Sequence, residues 1–241
     1  MTSLIKIIAA TLVSLLLFSC NFDVNFDQLN GEGEVLTKKH ELENFNQIIV
    51  ENGWDVQLIR SEKPRLVVKA NENLHPVLAF SVKNKVLHIT SKKNIGRADA
   101  KTIEVYFTGE LQKISAQSGA EIVSGETFEQ EKITLDSSSG AEIKLSLKTN
   151  NTNAEASSGA EIELSGTSEN FGSEASSGSE IDAENLKTKT ATANASSGAE
   201  ITLFVSESLS ADASSGGEVN YLGNPKNVSA DNSISGDVNK R

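Results

Sequence analysis

Residues 154–164 read AEASSGAEIEL, and the architecture is decided there. The small or apolar positions Ala154, Ala156, Ser158, Ala160, Ile162 and Leu164 alternate with Glu155, Ser157, Gly159, Glu161 and Glu163. A period of two sends one set to the inside of a β-strand and the other to the outside. The central SSGAEI returns as QSGAEI, SSGSEI, SSGGEV and SISGDV, always with a carboxylate directly before an aliphatic residue. Seven copies are anchored at Ile122, Ile143, Ile162, Ile181, Ile201, Val219 and Val238, at spacings of 21, 19, 19, 20, 18 and 19 residues.

A period near 20 that tolerates slips of one or two residues is the signature of a solenoid. Helical spacing is absent from the repeats, and a propeller blade needs about twice this length. Each repeat is therefore expected to be one coil of an all-β parallel β-helix, hydrogen-bonded along the axis to the next coil. Aromatic content of 5% suits such a fold, whose narrow interior is filled by small and aliphatic side chains.

Upstream of the repeats, residues 1–19 have the form of a lipoprotein signal peptide. Lys6 supplies the positive start, Ile7 to Phe18 the apolar stretch, and Leu17, Phe18, Ser19 and Cys20 a lipobox. Cys20 is the only cysteine, so it is the expected lipidation site, and the mature chain can form no internal disulfide. Several acyl chains there would anchor the protein in the cell envelope, with the outer membrane the expected site. Residues 20–40 read as a polar tether and residues 41–241 as the β-helix domain. Gly33 to Val35 and Trp54 to Val56 resemble worn copies of the repeat. Strand patterns fall at Gln47 to Val50, Asp55 to Ile59, Arg65 to Lys69, Val86 to Thr90 and Thr102 to Phe107. A helical turn is expected within Asn71 to Phe80, and Trp54 is expected to pack the end of the helix rather than hold a ligand.

Charge divides the chain. Residues 21–100 carry 11 basic and 11 acidic side chains, whereas residues 101–241 carry 10 and 22, a net charge of −12. An acidic rod of this kind disfavours nucleic acid and favours cations or basic partners.

ENFNQIIVENGWDVQLI, VVKANENL, the repeated small-Gly-small-acid-aliphatic unit and the closing VNYLGNPKNV before a last SGDV together resemble the family described as putative autotransporter adhesin, head GIN domain. The resemblance runs from about Leu42 to the end. It implies a single-stranded, right-handed parallel β-helix, with an adhesin label that comes from architecture rather than from a characterised ligand.

With the aliphatic anchors inside, parity places Glu121, Glu142, Glu161, Glu180, Glu200, Glu218 and Asp237 outside as a ladder, a candidate cation or ligand row. Two readings compete for it: a row of weak calcium sites, and a solvated acidic edge that keeps a long β-surface from aggregating. The second is preferred, because calcium wants six to eight oxygens and each coil offers about one Glu and one Ser. No metal site is assigned. Ser139, Ser158, Ser177, Ser197 and Ser215 are expected to stack inside with Ala141, Ala160 and Ala199.

Catalysis is the competing class, because parallel β-helices also host polysaccharide lyases and hydrolases. Here, however, the carboxylates recur in every coil instead of breaking the repeat once. His40, His75 and His88 lack metal-ligand spacing, and no Ser-His-Asp order, cysteine nucleophile or phosphate-cradling loop occurs. The expectation is a non-enzymatic envelope lipoprotein that recognises a glycan or protein or acts as a structural spacer. Its expected membrane contact is the lipid at Cys20.

Overall fold

The computed structural model describes residues 28–232 and 235–241, so the leader and Cys20 lie outside the described residues. The N-terminal strands are β1 (Val35–Glu41), β2 (Gln47–Glu51), β3 (Asp55–Arg60), β4 (Arg65–Asn71), β5 (Leu78–Lys83), β6 (Val86–Ser91), β7 (Lys101–Phe107) and β8 (Lys113–Gln117). The repeat region follows as β9 (Glu121–Ser138), β10 (Glu142–Ser157), β11 (Glu161–Ser176), β12 (Glu180–Ser196), β13 (Glu200–Ser214), β14 (Glu218–Leu222), β15 (Asn227–Asn232) and β16 (Asp237–Lys240). A single 3₁₀ turn at Glu72–Leu74 answers to the helical turn expected there.

From β9 onward each strand pairs in parallel with the one a repeat later, giving a β-solenoid of about seven turns of roughly 19 residues. Ile122, Ile143, Ile162, Ile181, Ile201, Val219 and Val238 are successive partners in one column. The first six are fully buried, and Val238, on the last coil, is partly so. Leu145, Leu164, Ala183 and Leu203 add buried positions two residues on. Like side chains are stacked on like, so each coil presents its neighbour with a surface of the same shape.

The solenoid begins earlier than the regular repeats. β8 and the start of β9 stack on β2 and β3, with Asp55 opposite Glu121 and Val56 opposite Ile122. The turn between β2 and β3 contains Asn52 and Gly53 with φ of 66° and 82°, the positive pair found again at the corners from Ser118-Gly119 to Ser215-Gly216. Trp54 follows at the place that alanine occupies in the regular coils, because Glu121 N–H donates to Trp54 O as Glu142 N–H donates to Ala120 O. Where the stack of coils nears its end, the column widens from alanine to a fully buried indole, which packs the interior as expected.

Chain order and stacking order part company at this end. β6 and β7 come later in sequence than β2 and β3 but lie outside them, and antiparallel β5 and β4 pair with β6 and β7. β1 then closes on β4, also antiparallel. The polar-tether reading of residues 20–40 is thus corrected from Gln28 on. Leu29 bridges Ile95, Asn71 Nδ2 donates to Gly33 O, and Val35 to Glu41 form a strand. Gly33 to Val35 is not a worn coil, since β1 runs antiparallel within this cap.

A second correction concerns the serines. Ser139, Ser158, Ser177, Ser197 and Ser215 are exposed, each with φ between 51° and 57°, followed by a glycine whose φ is also positive. Ala160 N–H donates to Ser157 O at 3.2 Å, closing a two-residue turn with positive φ at both central positions, as in type I′. A straight strand would have carried the inward phase from Ala156 to Ser158. The turn instead sends Ser158 and Gly159 outward and returns the chain inward at Ala160. Ala141, Ala160 and Ala199 are buried as expected.

Candidate functional site

The recurrent Ser-Gly corner organises the outer surface. On its downstream side the predicted acids form one unbroken row in register, Glu121, Glu142, Glu161, Glu180, Glu200, Glu218 and Asp237, and Asp55 extends it at the N-terminal end. These side chains are exposed or half-buried. Coils in a sheet lie about 4.8 Å apart, so each carboxylate has a like charge above and below.

Relief of that repulsion is uneven. At the two ends partners are present: Lys101 Nζ lies 2.8 Å from Asp55, and Glu200 accepts from Asn220 Nδ2 at 3.0 Å and Arg241 Nη2 at 3.1 Å. Glu218 accepts from Asn239 Nδ2. In the middle, Lys144 pairs with Glu163, two residues along the same coils from Glu142 and Glu161, and that hydrogen bond holds its ammonium above the ordinary lysine range. Glu142 and Glu180 are pushed above the usual carboxylate value of 4.5. Partial burial is the main cause and the neighbouring row carboxylates the next, with Lys144 counteracting at Glu142.

A second acidic row, which the repeat motif did not reveal, lies upstream of the corner. Asp136, Glu155, Glu174, Asn194, Asp212 and Asp231 are successive partners. Its signal is in the sequence, since these positions recur at 18 to 20 residues, but the substitution of Asn194 and of Asp for Glu disguised it. Between this row and the half-exposed Ser157, Ser176, Ser196 and Ser214 runs a shallow groove of about 280 Å³. Beside it lies an uncharged strip built from Asn151, Asn170, Thr190 and Ser208, in which Asn170 donates to Asn151 Oδ1 and accepts from Thr190 Oγ1. The surface thus offers parallel rows of acceptors and hydroxyls at a fixed repeat.

Among the described residues no group of three or more His, Cys, Asp or Glu converges as a metal cage. The histidines are scattered: His75 Nε2 contacts Leu36 O, His88 lies 3.0 Å from Glu51, and His40 packs on Phe80. No described helix is long and apolar enough to cross a membrane.

A family model described as "Putative auto-transporter adhesin, head GIN domain" matches residues 44–225, three quarters of the chain and all but the last of the regular coils. The chain belongs to this head GIN domain family. Solved structures with the same fold include a "putative adhesin" from Bacteroides fragilis, at 18% identity and a TM-score of 0.79, covering 88% of this chain and 100% of that one. Another "putative adhesin", from Parabacteroides merdae, has 19% identity and a TM-score of 0.71 over 89% and 99% of the two chains. A protein from Parabacteroides distasonis titled "putative lipid binding protein" has 20% identity and a TM-score of 0.71 over the same shares. At these identities the likeness is one of fold. Comparison with curated proteins gives no match. Head GIN domain membership supports an adhesin-like role at the cell envelope or surface.

Proposed function

We propose that this head GIN domain protein is a non-catalytic lipoprotein of the cell envelope, anchored through Cys20, whose β-helix recognises an extended glycan or protein partner. One observation carries the reading: outward side chains of like chemistry recur along a single stack of coils at the pitch of the sheet, in two mainly acidic rows and an amide-hydroxyl strip. Each contact such a row offers is weak. A partner that spans several coils gains avidity, because every contact after the first is intramolecular.

The anchor fits the geometry of the cap. Eight Cα–Cα steps separate Cys20 from Gln28, where the fold begins to hold the chain. Fully extended, they reach roughly 26–29 Å. The antiparallel cap would stay near the outer-membrane lipid, with the acidic coils displayed beyond it.

The test is an array of glycans and extended peptides probed with protein lacking its acyl chains, with and without calcium. The expected result is binding that strengthens with ligand length. Silence in both conditions, or turnover of an acidic polysaccharide by the purified protein, overturns the proposal.

A further inference from the structure

A second groove on the solenoid lies away from both acidic rows, at the corner where the coils are least regular. Register slips between Lys144 and Ser146, Glu163 and Ser165, and Ala183 and Lys187 all fall on the approach to it. The groove encloses about 690 Å³, inside the range of about 300–1,000 Å³ typical of ligand pockets. Its composition departs from the rest of the rod. Lys148, Lys187 and Lys189 line it against only Glu129 and Glu169, a local charge of +1 within a segment whose net charge is −12.

Two of the lysines are already steered. Lys148 Nζ lies 2.7 Å from Glu129, and Lys189 Nζ lies 2.7 Å from both oxygens of Glu169. Lys187 forms no ion pair among the described residues, and it stands in register beside Phe204. The exposed column Glu129, Lys148, Thr167, Lys187, Phe204 is polar until its last member, where an aromatic ring is half-exposed with Leu222 beyond it. The groove floor is a row of buried polar side chains, Gln130, Thr149, Ser168 and Thr188. Ser168 and Thr149 bond each other and Thr152, and Gln130 Nε2 donates to Leu111 O and Lys132 O, while Gln130 Oε1 has no partner.

An unpaired ammonium next to an outward aromatic face, flanked by hydroxyl and carboxylate groups, matches the two-sided chemistry of an acidic sugar. The ring's C–H face packs on an aromatic, its carboxylate needs a cation, and its hydroxyls need acceptors. We propose that this groove is a binding site for a uronate residue of an acidic polysaccharide, with Phe204 as the stacking platform and Lys187 as the carboxylate ligand. Lys148 and Lys189 set the charge of the walls, and Glu129 and Glu169 accept from sugar hydroxyls. The proposal rests on the glycan side of the adhesin reading and places one saccharide subsite in a groove remote from the acidic rows.

The probe is a short oligogalacturonate, titrated calorimetrically into the purified full-length protein, with its methyl ester of equal length as the uncharged control. Binding of the acid at least tenfold tighter than the ester is expected. Lys187→Gln should weaken it at least fivefold, and so should Phe204→Leu, which keeps an apolar side chain and hence the fold. Equal binding of acid and ester, absence of binding at millimolar oligosaccharide, or undiminished binding by both variants overturns the groove assignment. If the protein still binds other extended ligands on the array, the adhesin reading survives that failure; an array silent throughout removes both.

Discussion

Neutralising Glu180 should stabilise the protein, which is the reverse of what removing a side chain usually does. Glu180 has a carboxylate above it, Glu161, one below, Glu200, and Asp182 two residues along its own strand. At about 4.8 Å two unit charges repel by a little under 1 kcal/mol in bulk water and by about 3 kcal/mol at an effective dielectric near 20. The side chain is exposed, so the lower figure applies, and physiological salt with a Debye length of about 8 Å cuts it to roughly 0.5 kcal/mol per neighbour. Glu180→Gln therefore removes about 1 kcal/mol of repulsion, a rise in melting temperature of about 2–4 °C for a domain of this size. Glu142→Gln should give less, because Lys144 already offsets part of the charge. The pH dependence has a definite sign. A carboxylate whose folded pKa is raised above 4.5 binds more protons folded than unfolded, so stability falls as pH rises through the window just above 4.5 and recovers as pH is lowered towards it. Thermal melts by circular dichroism at pH 5 and 7, in 20 mM and 500 mM salt, check both points. The gain from Glu180→Gln should be largest at pH 7 and low salt. A destabilised variant, or a gain indifferent to salt and pH, refutes the argument that the row is electrostatically strained.

Other substitutions probe the stack directly. Ala160→Leu places three extra carbons in a column that is 1% exposed, and chemical denaturation should show a loss of roughly 1–3 kcal/mol. Ser158→Asn puts a residue that tolerates φ near 55° at an exposed corner, and the same measurement should show unchanged or slightly raised stability, against a loss if the serine hydroxyl were packed inside. Trp54→Ala empties the widened end of the alanine column, at a cost of about 3–5 kcal/mol measured by urea unfolding.

Much of this was legible because a solenoid repeats its own evidence. The carboxylate-aliphatic pair recurs in phase with the coil, so Ile143 and Glu142 could be placed inside and outside by parity alone. The strands at Gln47, Asp55, Arg65, Val86 and Lys101 were equally readable from β-branched alternation. Parity failed at Ser158 because two consecutive residues of positive φ reverse the phase, and that turn is written in Ser-Gly rather than in the commoner Asn-Gly. The Asn52-Gly53 pair, which does carry the usual signal, marks the same corner in the first coil. The swap of β2 and β3 with β6 and β7 left no trace in sequence, since pairing across the cap depends on which edge is free rather than on any local pattern. The groove at Lys187 and Phe204 was hidden for the opposite reason: it is built from positions where the repeat is broken, which a search for repeats passes over.

Every functional reading above needs the coils to be stacked in register. Spin labels at Glu121→Cys and Glu218→Cys, in a chain carrying Cys20→Ser, are separated by five coil spacings along one row. Pulsed electron–electron resonance should give a single narrow distance distribution centred near 24 Å, five times the spacing of about 4.8 Å. A broad distribution, or one centred beyond about 35 Å, contradicts the stacked rod and the repeated binding face it supports.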